Sequence, residues 1–277
     1  MRNSPVVTEL SQTYSRNGYF FPIPVLSSDD LQYFLRKYMD FYEHSRQRLA
    51  QLPPKEHFSI LSETHASLNW VYRIASYPAV LDAVSSILGP NLMIWGSRWF
   101  SKMPGDKTYI SWHQDATYWG LHPPEVTTAW IALSESNSEN GCMRVVPGTH
   151  LGGMLPQNET YAPDNALSRG QEIAVEVDES QAVDICLQPG EMSLHHIGIV
   201  HGSQVNRSSK PRIGIAVRYI TPQVKQDGER SLAMLVRGRD DYGHFERVDP
   251  PIADDFAVAD VQTEAVKRMM NSVMQKK

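Results

Sequence analysis

Residues 212–220 read RIGIAVRYI, and this stretch has the clearest strand pattern in the chain. Apolar side chains recur at every second position from Ile213 to Val217, with glycine, alanine and arginine at the alternate positions. Because side chains of a strand alternate between two faces, this period of two indicates a strand with one buried face. The sequence therefore predicts a sheet that packs one face against a core.

The chain from about Leu92 onward contains further short stretches of this kind. They are rich in valine, isoleucine, tyrosine and tryptophan, and turn residues separate them. These stretches are LMIWGSRWFSKM, TTAWIALSE, CMRVVPG, AVDICLQPG, EMSLHH and HGSQVN. Many short strands with turns between them are typical of a β-sandwich or β-barrel.

Helices are predicted on both sides of this β-rich region. The stretch SSDDLQYFLRKYMDFYEHSRQRL begins with capping residues at Ser27 and Ser28 and continues with apolar residues at helical spacing. PAVLDAVSSILGP begins at Pro78 and stops at Gly89, and DVQTEAVKRMMNSVMQKK is expected to form a closing helix. A polar, weakly periodic segment at 156–182 is expected to be a long excursion between strands, of the kind that can form a lid.

The length of 277 residues fits one domain with a sizeable core. We predict a single domain over 1–277, and its parts are a helical N-terminal part (1–91), a β core (about 92–222) and a C-terminal extension with a helix (223–277). The net charge is −5 and no basic cluster is present, which argues against nucleic acid as a partner. No segment approaches 18 uninterrupted apolar residues, so no membrane span is expected. Two cysteines without a C-x-x-C spacing favour a reducing cytoplasm.

The sequence WHQDATYW contains His113 and Asp115 two positions apart. On a strand these two side chains would point to the same face and could meet one ion. His201, in HHIGIVHGSQVN, is the best candidate for a third donor. Two histidines and one carboxylate form the facial triad of non-haem Fe(II) oxygenases, although zinc uses the same donors, usually for hydrolysis.

Arg212 lies eleven residues after His201, at the head of the RIGIAVRYI strand. Its planar guanidinium suits bidentate binding of a carboxylate, such as the far carboxylate of a 2-oxo acid cosubstrate. The alternative without a function is that Arg212 is a surface arginine and that the His-x-Asp triplet arises by chance. The two interpretations differ in whether these residues converge in the fold.

Three segments together resemble the phytanoyl-CoA dioxygenase family of Fe(II)- and 2-oxoglutarate-dependent oxygenases. They are WHQDATYW, TTAWIALSESNSENGCMRVVPGTH and HHIGIVHGSQVNRSSKPRIGIAVRY, and the resemblance spans roughly residues 92–222. It implies a mainly β fold with flanking α-helices and a double-stranded β-helix core (jelly-roll, cupin-like). It also implies Fe(II), 2-oxoglutarate as cosubstrate, O2, and a small-molecule substrate.

The resemblance assigns roles to individual positions. The metal ligands it implies are His113, Asp115 and His201, and the cosubstrate-binding residues are Arg212, Ser203, Trp130 and Lys102. Tyr118 and Trp119 fall where relatives line the substrate pocket, although core or rim aromatics explain them nearly as well. Related halogenases have alanine or glycine in place of the metal-binding acid, so Asp115 favours hydroxylation over halogenation.

The function expected from these residues is hydroxylation of a small metabolite or natural-product intermediate, with release of succinate and CO2. Desaturation, ring closure and demethylation are alternative outcomes of the same chemistry. A non-catalytic jelly-roll protein that binds a ligand is the rival from another class, and a zinc hydrolase on the same fold is a second rival.

Overall fold

A computed structural model describes residues 5–52, 56–167, 169–228 and 231–261 of the chain. Its helices are α1 (Pro5–Asn17), α2 (Ser28–Ala50), α3 (Phe58–Leu61), α4 (Asn69–Ala75), α5 (Pro78–Leu88) and α6 (Ala116–Trp119). Its first strands are β1 (Tyr19–Pro24), β2 (Leu92–Trp99), β3 (Ile110–His113), β4 (Leu121–His122), β5 (Val126–Ala132), β6 (Met143–Val146), β7 (Gln157–Glu159) and β8 (Gln171–Ile173). The later strands are β9 (Val183–Ile185), β10 (Glu191–His196), β11 (Val200–Ser203), β12 (Gly214–Ile220), β13 (Lys225–Gln226), β14 (Leu232–Arg237) and β15 (Glu246–Arg247).

Strand β12, from the RIGIAVRYI stretch, lies in the middle of the larger sheet. That sheet has seven strands in the order β1-β10-β5-β12-β2-β14-β15, and a second sheet has four strands in the order β3-β11-β6-β9. Side chains of both sheets pack together in one cluster that includes Trp130, Ala216, Val145 and Ile199. The predicted mainly β, jelly-roll fold with flanking helices is confirmed.

The outer face of the larger sheet forms the main hydrophobic core with the helices. Ile213, Ile215 and Val217 are buried in that core, as their alternation predicts. The opposite face of β12 carries Gly214, Ala216 and Arg218 and looks toward the second sheet. A Cβ atom at position 214 would collide with the indole ring of Trp130, so only glycine fits there without a shift of the ring.

The two predicted N-terminal helices are present and cover this sheet. Helix α2 begins after the cap Ser27, whose side chain accepts a hydrogen bond from the backbone N–H of Asp30. Its apolar stripe buries Phe34, Tyr38 and Phe41. Burial of side chains of this size contributes about 1.5–3 kcal/mol each. Helix α5 begins at Pro78 and ends before Gly89, as predicted.

Several elements differ from the sequence expectation, and one lies largely outside the described residues. Strand β1 lies within the part predicted to be helical, and β14 and β15 extend the larger sheet into the C-terminal extension. The segment 156–182 is not a bare loop, because β7 and β8 pair as an antiparallel hairpin. The predicted closing helix lies largely outside the described residues, which end at Val261. Within the described ranges, no helix has the length and apolar character needed to cross a bilayer.

Candidate metal centre

Two of the predicted ligands are direct neighbours across the smaller sheet. His201 on β11 is paired in register with His113 at the end of β3. Side chains of residues paired in this way lie on the same face, and the two imidazole centroids are 4.1 Å apart. Both residues are buried, with 4% and 8% of their surface exposed for His113 and His201. Strand pairing therefore brings together two donors that are 88 positions apart in the chain.

Asp115 lies beside the two histidines, but it is not on the strand where it was predicted. The expectation that a strand presents both His113 and Asp115 is wrong, because β3 ends at His113. Asp115 has helical backbone angles (φ −61°, ψ −37°) and caps helix α6. One carboxylate oxygen, Oδ1, lies 3.4 Å from Nε2 of His113. A turn into a helix therefore places the carboxylate beside the imidazoles.

The three side chains have the geometry of a cation site. One ligand atom from each of His113, Asp115 and His201 lies within 4.8 Å of the others, and no other such group of three or more was found in the part of the chain that the structure describes. Nδ1 of His113 is bonded to the carbonyl of Ser111 (2.9 Å), and Nδ1 of His201 to the carbonyl of Ile199 (3.1 Å). A carbonyl only accepts, so each Nδ1 carries the proton and each Nε2 has its lone pair free for a metal.

Electrostatics keep these groups in their ligating forms. Burial, and next the neighbouring His113, lowers the pKa of His201 to about 3, so its imidazole is neutral at physiological pH. Burial alone would raise the pKa of Asp115, but its interactions with the neighbouring His113, His201 and Arg218 outweigh burial and hold this pKa well below its usual range. Two imidazoles and one carboxylate fit Fe(II) in a facial triad with open positions.

Gln114, between the two ligands, is almost completely buried. Its amide nitrogen donates to the carbonyls of Gly198 (2.7 Å) and Gly153 (3.0 Å). Its amide oxygen accepts from the backbone N–H of Leu155 (2.8 Å). The residue that faces away from the metal centre therefore ties two separate loops to the ligand-bearing turn.

The structure also brings together the residues that the resemblance assigns to the cosubstrate. Lys102 and Arg212 form a backbone bridge, with reciprocal hydrogen bonds of 2.8 and 2.9 Å. Nζ of Lys102 donates to Oγ of Ser203 (2.6 Å), and Nη1 of Arg212 donates to the same oxygen (3.1 Å). The guanidinium of Arg212 lies 5.3 Å from the ring centre of Trp130. All four residues therefore border one pocket.

This pocket contains the Arg212 guanidinium and the Lys102 amine, and neither has an acidic partner among the described residues. Among the described residues, no carboxylate forms an ion pair with Lys102 or Arg212, and Nε of Arg212 has no hydrogen-bond partner. Burial, and next the charge of Arg212, lowers the pKa of Lys102 to about 6, and burial lowers the pKa of Arg212 to about 10. Buried cations are costly unless an anion meets them. The pocket is therefore suited to a carboxylate.

The backbone carbonyl of Gly141 is a member of this pocket that the sequence analysis missed. It accepts hydrogen bonds from Oγ of Ser203 (2.7 Å) and from Nη1 of Arg212. Gly141 has φ +76°, and a Cβ atom there would collide with the carbonyl oxygen of Gln204. The Asn140-Gly141 dipeptide is typical of a turn, but that pattern does not indicate what the Gly141 carbonyl binds.

The predicted substrate residues are only partly described. Trp119 is partly buried at the end of α6, and its ring centre lies 5.0 Å from that of Trp95. Tyr118 belongs to α6, but its side chain lies outside the described residues. The ring of His195 lies 5.0 Å from that of His201, while the ring of His196 lies 5.1 Å from that of His150.

Comparison with known proteins identifies the family. A family model for phytanoyl-CoA dioxygenase (PhyH) matches residues 14–214. The chain belongs to the phytanoyl-CoA dioxygenase family. It is therefore a 2-oxoglutarate-dependent non-haem iron dioxygenase, as the sequence resemblance implies.

Relatives in this family align with most of the chain. A probable phytanoyl-CoA dioxygenase of Caenorhabditis elegans is 25% identical over 232 residues, which cover 76% of this chain and 74% of the relative. The phytanoyl-CoA dioxygenase of Arabidopsis thaliana is 26% identical over 220 residues, which cover 78% of this chain and 73% of the relative. Both matches are distant in sequence but extend over roughly three quarters of each protein.

Solved structures are similar over nearly the whole chain. The non-heme monooxygenase ThoJ, in its apo form, superposes with a TM-score of 0.80 and 31% identity, covering 97% of this chain and all of ThoJ. CytC3 with Fe(II) and alpha-ketoglutarate superposes with a TM-score of 0.59 and 25% identity, covering 87% and 91%. The similarity therefore includes the helices as well as the sheets.

Proposed function

We propose that this family member hydroxylates a small-molecule metabolite or natural-product intermediate, with 2-oxoglutarate converted to succinate and CO2. The observation that carries the proposal is the convergence of His113, Asp115 and His201 on one point, near a pocket whose buried arginine and lysine have no acidic partner among the described residues. Iron supplies the activation of O2 in such enzymes. The protein contributes binding, orientation and exclusion of water.

The side chains take distinct roles in this proposal. His113 and His201 hold Fe(II) through Nε2, and Asp115 holds it through its carboxylate. Arg212 and Ser203 bind the far carboxylate of 2-oxoglutarate: the guanidinium donates to its oxygens, and the Ser203 hydroxyl donates its one proton to the carboxylate in place of the Gly141 carbonyl. Lys102 and Trp130 complete the pocket, where Lys102 orients the Ser203 hydroxyl and Trp130 packs against the guanidinium.

The side chains favour hydroxylation over the rival functions. A zinc hydrolase needs no 2-oxo acid cosubstrate, so that function does not explain a buried arginine and lysine without an acidic partner. Asp115 occupies the ligand position that is alanine or glycine in related halogenases. Desaturation, ring closure and demethylation use the same iron chemistry, and the mass of the product distinguishes them from hydroxylation.

Residues 1–277 are proposed to act as one oxygenase domain in the cytoplasm. The larger sheet supports a single domain, because its edges are formed by β1 and β15 from opposite ends of the described chain. Two free thiols, at Cys142 and Cys186, support a reducing compartment. Trp119 and Tyr118 are proposed to line the substrate pocket.

Anaerobic titration with Fe(II) and 2-oxoglutarate tests the proposal. The expected result is a weak visible charge-transfer band that saturates at one equivalent of each. Asp115→Ala is expected to lose the band, and Asp82→Ala, on the exposed surface of α5, is expected to keep it. Folded wild-type protein without any band would support the ligand-binding alternative.

A further inference from the structure

The inner face of the larger sheet carries an unusual set of unsatisfied polar atoms. Of the eleven buried side-chain atoms without a hydrogen-bond partner among the described residues, six belong to side chains on this one face. They are Arg98 Nε, Thr128 Oγ1, Ser193 Oγ, His195 Nδ1, Arg212 Nε and Arg218 Nε. Buried polar groups are normally paired, so this face is built to bind something polar.

Strand register places Arg98 and Arg218 side by side within this set. Arg98 on β2 is paired with Ala216 on β12, and Arg218 is the next residue of β12 on the same face. Thr128 on β5 is paired with Arg218 on one side and with His195 on the other. Two guanidiniums, a hydroxyl and an imidazole therefore form one continuous polar patch.

Neither arginine has an acid as a partner. In the described parts of the chain, no carboxylate oxygen lies within 4.0 Å of a nitrogen of either side chain. Arg98 donates one hydrogen bond, from Nη2 to the carbonyl of Ala166 (2.9 Å), and lies 4.8 Å from the ring centre of Phe100. Arg218 lies 4.9 Å from the ring centre of Trp119. Aromatic rings orient both guanidiniums without neutralising them.

The charges around the pair leave it positive. Burial, and next the charge of Arg218, lowers the pKa of Arg98 to about 9, so the two cations disfavour each other. Burial raises the pKa of Glu63 to about 7 although Arg218 opposes this, so Glu63 is partly neutral near pH 7. Asp115, the other acid that interacts with Arg218, is assigned to the metal.

We propose that Arg98 and Arg218 bind a carboxylate or another oxyanion of the substrate, which makes the substrate a small acid. The proposal rests on the proposed function, because it places this anion in the pocket of the same metal centre. A guanidinium fork binds an oxyanion through two parallel hydrogen bonds, and the Thr128 hydroxyl adds a third donor. Thr128 pairs with Arg218 on one side and with His195 on the other, and the ring of His195 lies 5.0 Å from that of His201, so the bound anion lies close to the metal site.

This site is separate from the cosubstrate pocket. Arg212 lies two residues before β12 and Arg218 lies six residues further along the chain on the same face, which corresponds to about 20 Å along an extended strand. One carboxylate therefore does not bridge both arginines. Arg212 is available for the cosubstrate and Arg218 for the substrate.

Calorimetric titration of the metal-loaded protein tests the inference in two steps. Ni(II)-loaded protein is first titrated with N-oxalylglycine, an unreactive 2-oxoglutarate analogue, and this step reports on the proposed function alone. The saturated complex is then titrated with sulfate and, separately, with acetate. Saturable binding of either anion to wild type is expected, and the tighter of the two indicates which oxyanion the site prefers.

Matched variants assign the anion to these side chains. Arg98→Gln and Arg218→Gln are each expected to weaken the anion at least tenfold and to leave N-oxalylglycine affinity unchanged. The control Arg237→Gln removes an arginine that pairs with Asp82 at the surface, and it is expected to change neither. Arg98→Lys and Arg218→Lys keep the positive charge but lose the paired donors of the guanidinium. They replace the glutamine variants in the same titration if those variants do not fold.

Three results would overturn the inference while leaving the proposed function intact. The first is wild type that binds N-oxalylglycine but neither anion. The second is anion binding that survives every substitution of Arg98 and Arg218. The third is a loss of N-oxalylglycine affinity with unchanged anion affinity, because Arg218 would then serve the cosubstrate. Failure of the first titration would instead count against the proposed function.

Discussion

Arg212 is held in place by contacts to other buried groups, and one of its donors has no partner among the described residues. Its Nη1 donates to the Gly141 carbonyl and to Ser203 Oγ, and its Nη2 donates to the Phe100 carbonyl (3.3 Å), while Nε has no partner. The side chain is thus ordered before any ligand arrives, which lowers the entropy lost on binding. A buried, ordered cation discriminates strongly in favour of an anion.

Arg212→Ala is expected to weaken 2-oxoglutarate binding about 30- to 150-fold, since a charge-assisted hydrogen-bond pair to a carboxylate is worth about 2–3 kcal/mol. Anaerobic titration of the charge-transfer band measures the dissociation constant. Arg212→Lys is expected to recover part of the affinity. An unchanged constant in a folded alanine variant would remove Arg212 from the cosubstrate site.

His65 makes a separate prediction about stability and pH. Burial, and next the charge of Arg218, lowers its pKa in the folded protein to about 4, against an ordinary value of about 6.5. Between pH 6.5 and 4 the His65 imidazole is therefore protonated in the unfolded chain but not in the folded protein. The stabilisation is complete above pH 6.5 and is lost as the pH falls toward 4, by about 3 kcal/mol in total.

His65→Gln is expected to flatten this dependence by about 1.4 kcal/mol per pH unit between pH 6.5 and 4. Urea unfolding of metal-free protein at several pH values measures the slope. His122→Gln, at an exposed site, is the control and is expected to leave the slope as in wild type. Parallel curves for wild type and His65→Gln would contradict the burial effect.

The two faces of strand β12 have different roles. One face supplies the apolar core and the other carries the site, so a change on the inner face affects both packing and binding. Gly214 lies directly against the ring of Trp130. This contact lets the indole lie over the Arg212 guanidinium.

Gly214→Ala is expected to destabilise the fold by about 1–3 kcal/mol, because the added methyl group displaces the buried ring of Trp130. The free energy of unfolding in urea measures this change. Gly152→Ala is the matched control, since the nearest atom to its added Cβ is the Thr149 carbonyl oxygen at 3.6 Å. Equal stability of both variants would mean that Trp130 has room to move.

The sequence predicted elements with a strong local pattern and missed those set by distant contacts. The period of two in β12 and the capped α2 were sufficient to place both elements. Strand β1 was missed because Pro22 and Pro24 interrupt its pattern, although prolines are tolerated in an edge strand, and β1 lies at the edge of its sheet.

The candidate site was predicted residue by residue, but its geometry was not. His113, Asp115 and His201 were identified correctly as a converging group, yet the turn that orients Asp115 depends on where β3 ends. The bridge between Lys102 and Arg212 joins segments that are 110 positions apart, and local sequence patterns carry no information about such pairings. Arg218 shared a face with Gly214 in the predicted alternation, but its unpaired state emerges only in the fold.

Metal binding should act on the molecule as a whole, because the proposed ligands connect β3, β11 and the start of α6. Ni(II) at 100 times its dissociation constant is expected to stabilise the folded state by about 2.7 kcal/mol. For a chain of this size that corresponds to a rise in melting temperature of about 5 °C. Differential scanning fluorimetry with and without EDTA measures the shift. Asp115→Ala is expected to show none.

The seven-stranded sheet also sets how the chain must fold. Its edge strands β1 and β15 come from opposite ends of the described chain, and its central strands pair across long stretches of sequence. Such pairings close large loops before they gain contacts, so folding is expected to be slow relative to helical proteins of this length. A fragment limited to residues 92–222 would lack β1, β14 and β15 and would leave β10 and β2 with exposed edges. That fragment is expected to aggregate through those edges, and the protein is best produced with both flanking regions intact.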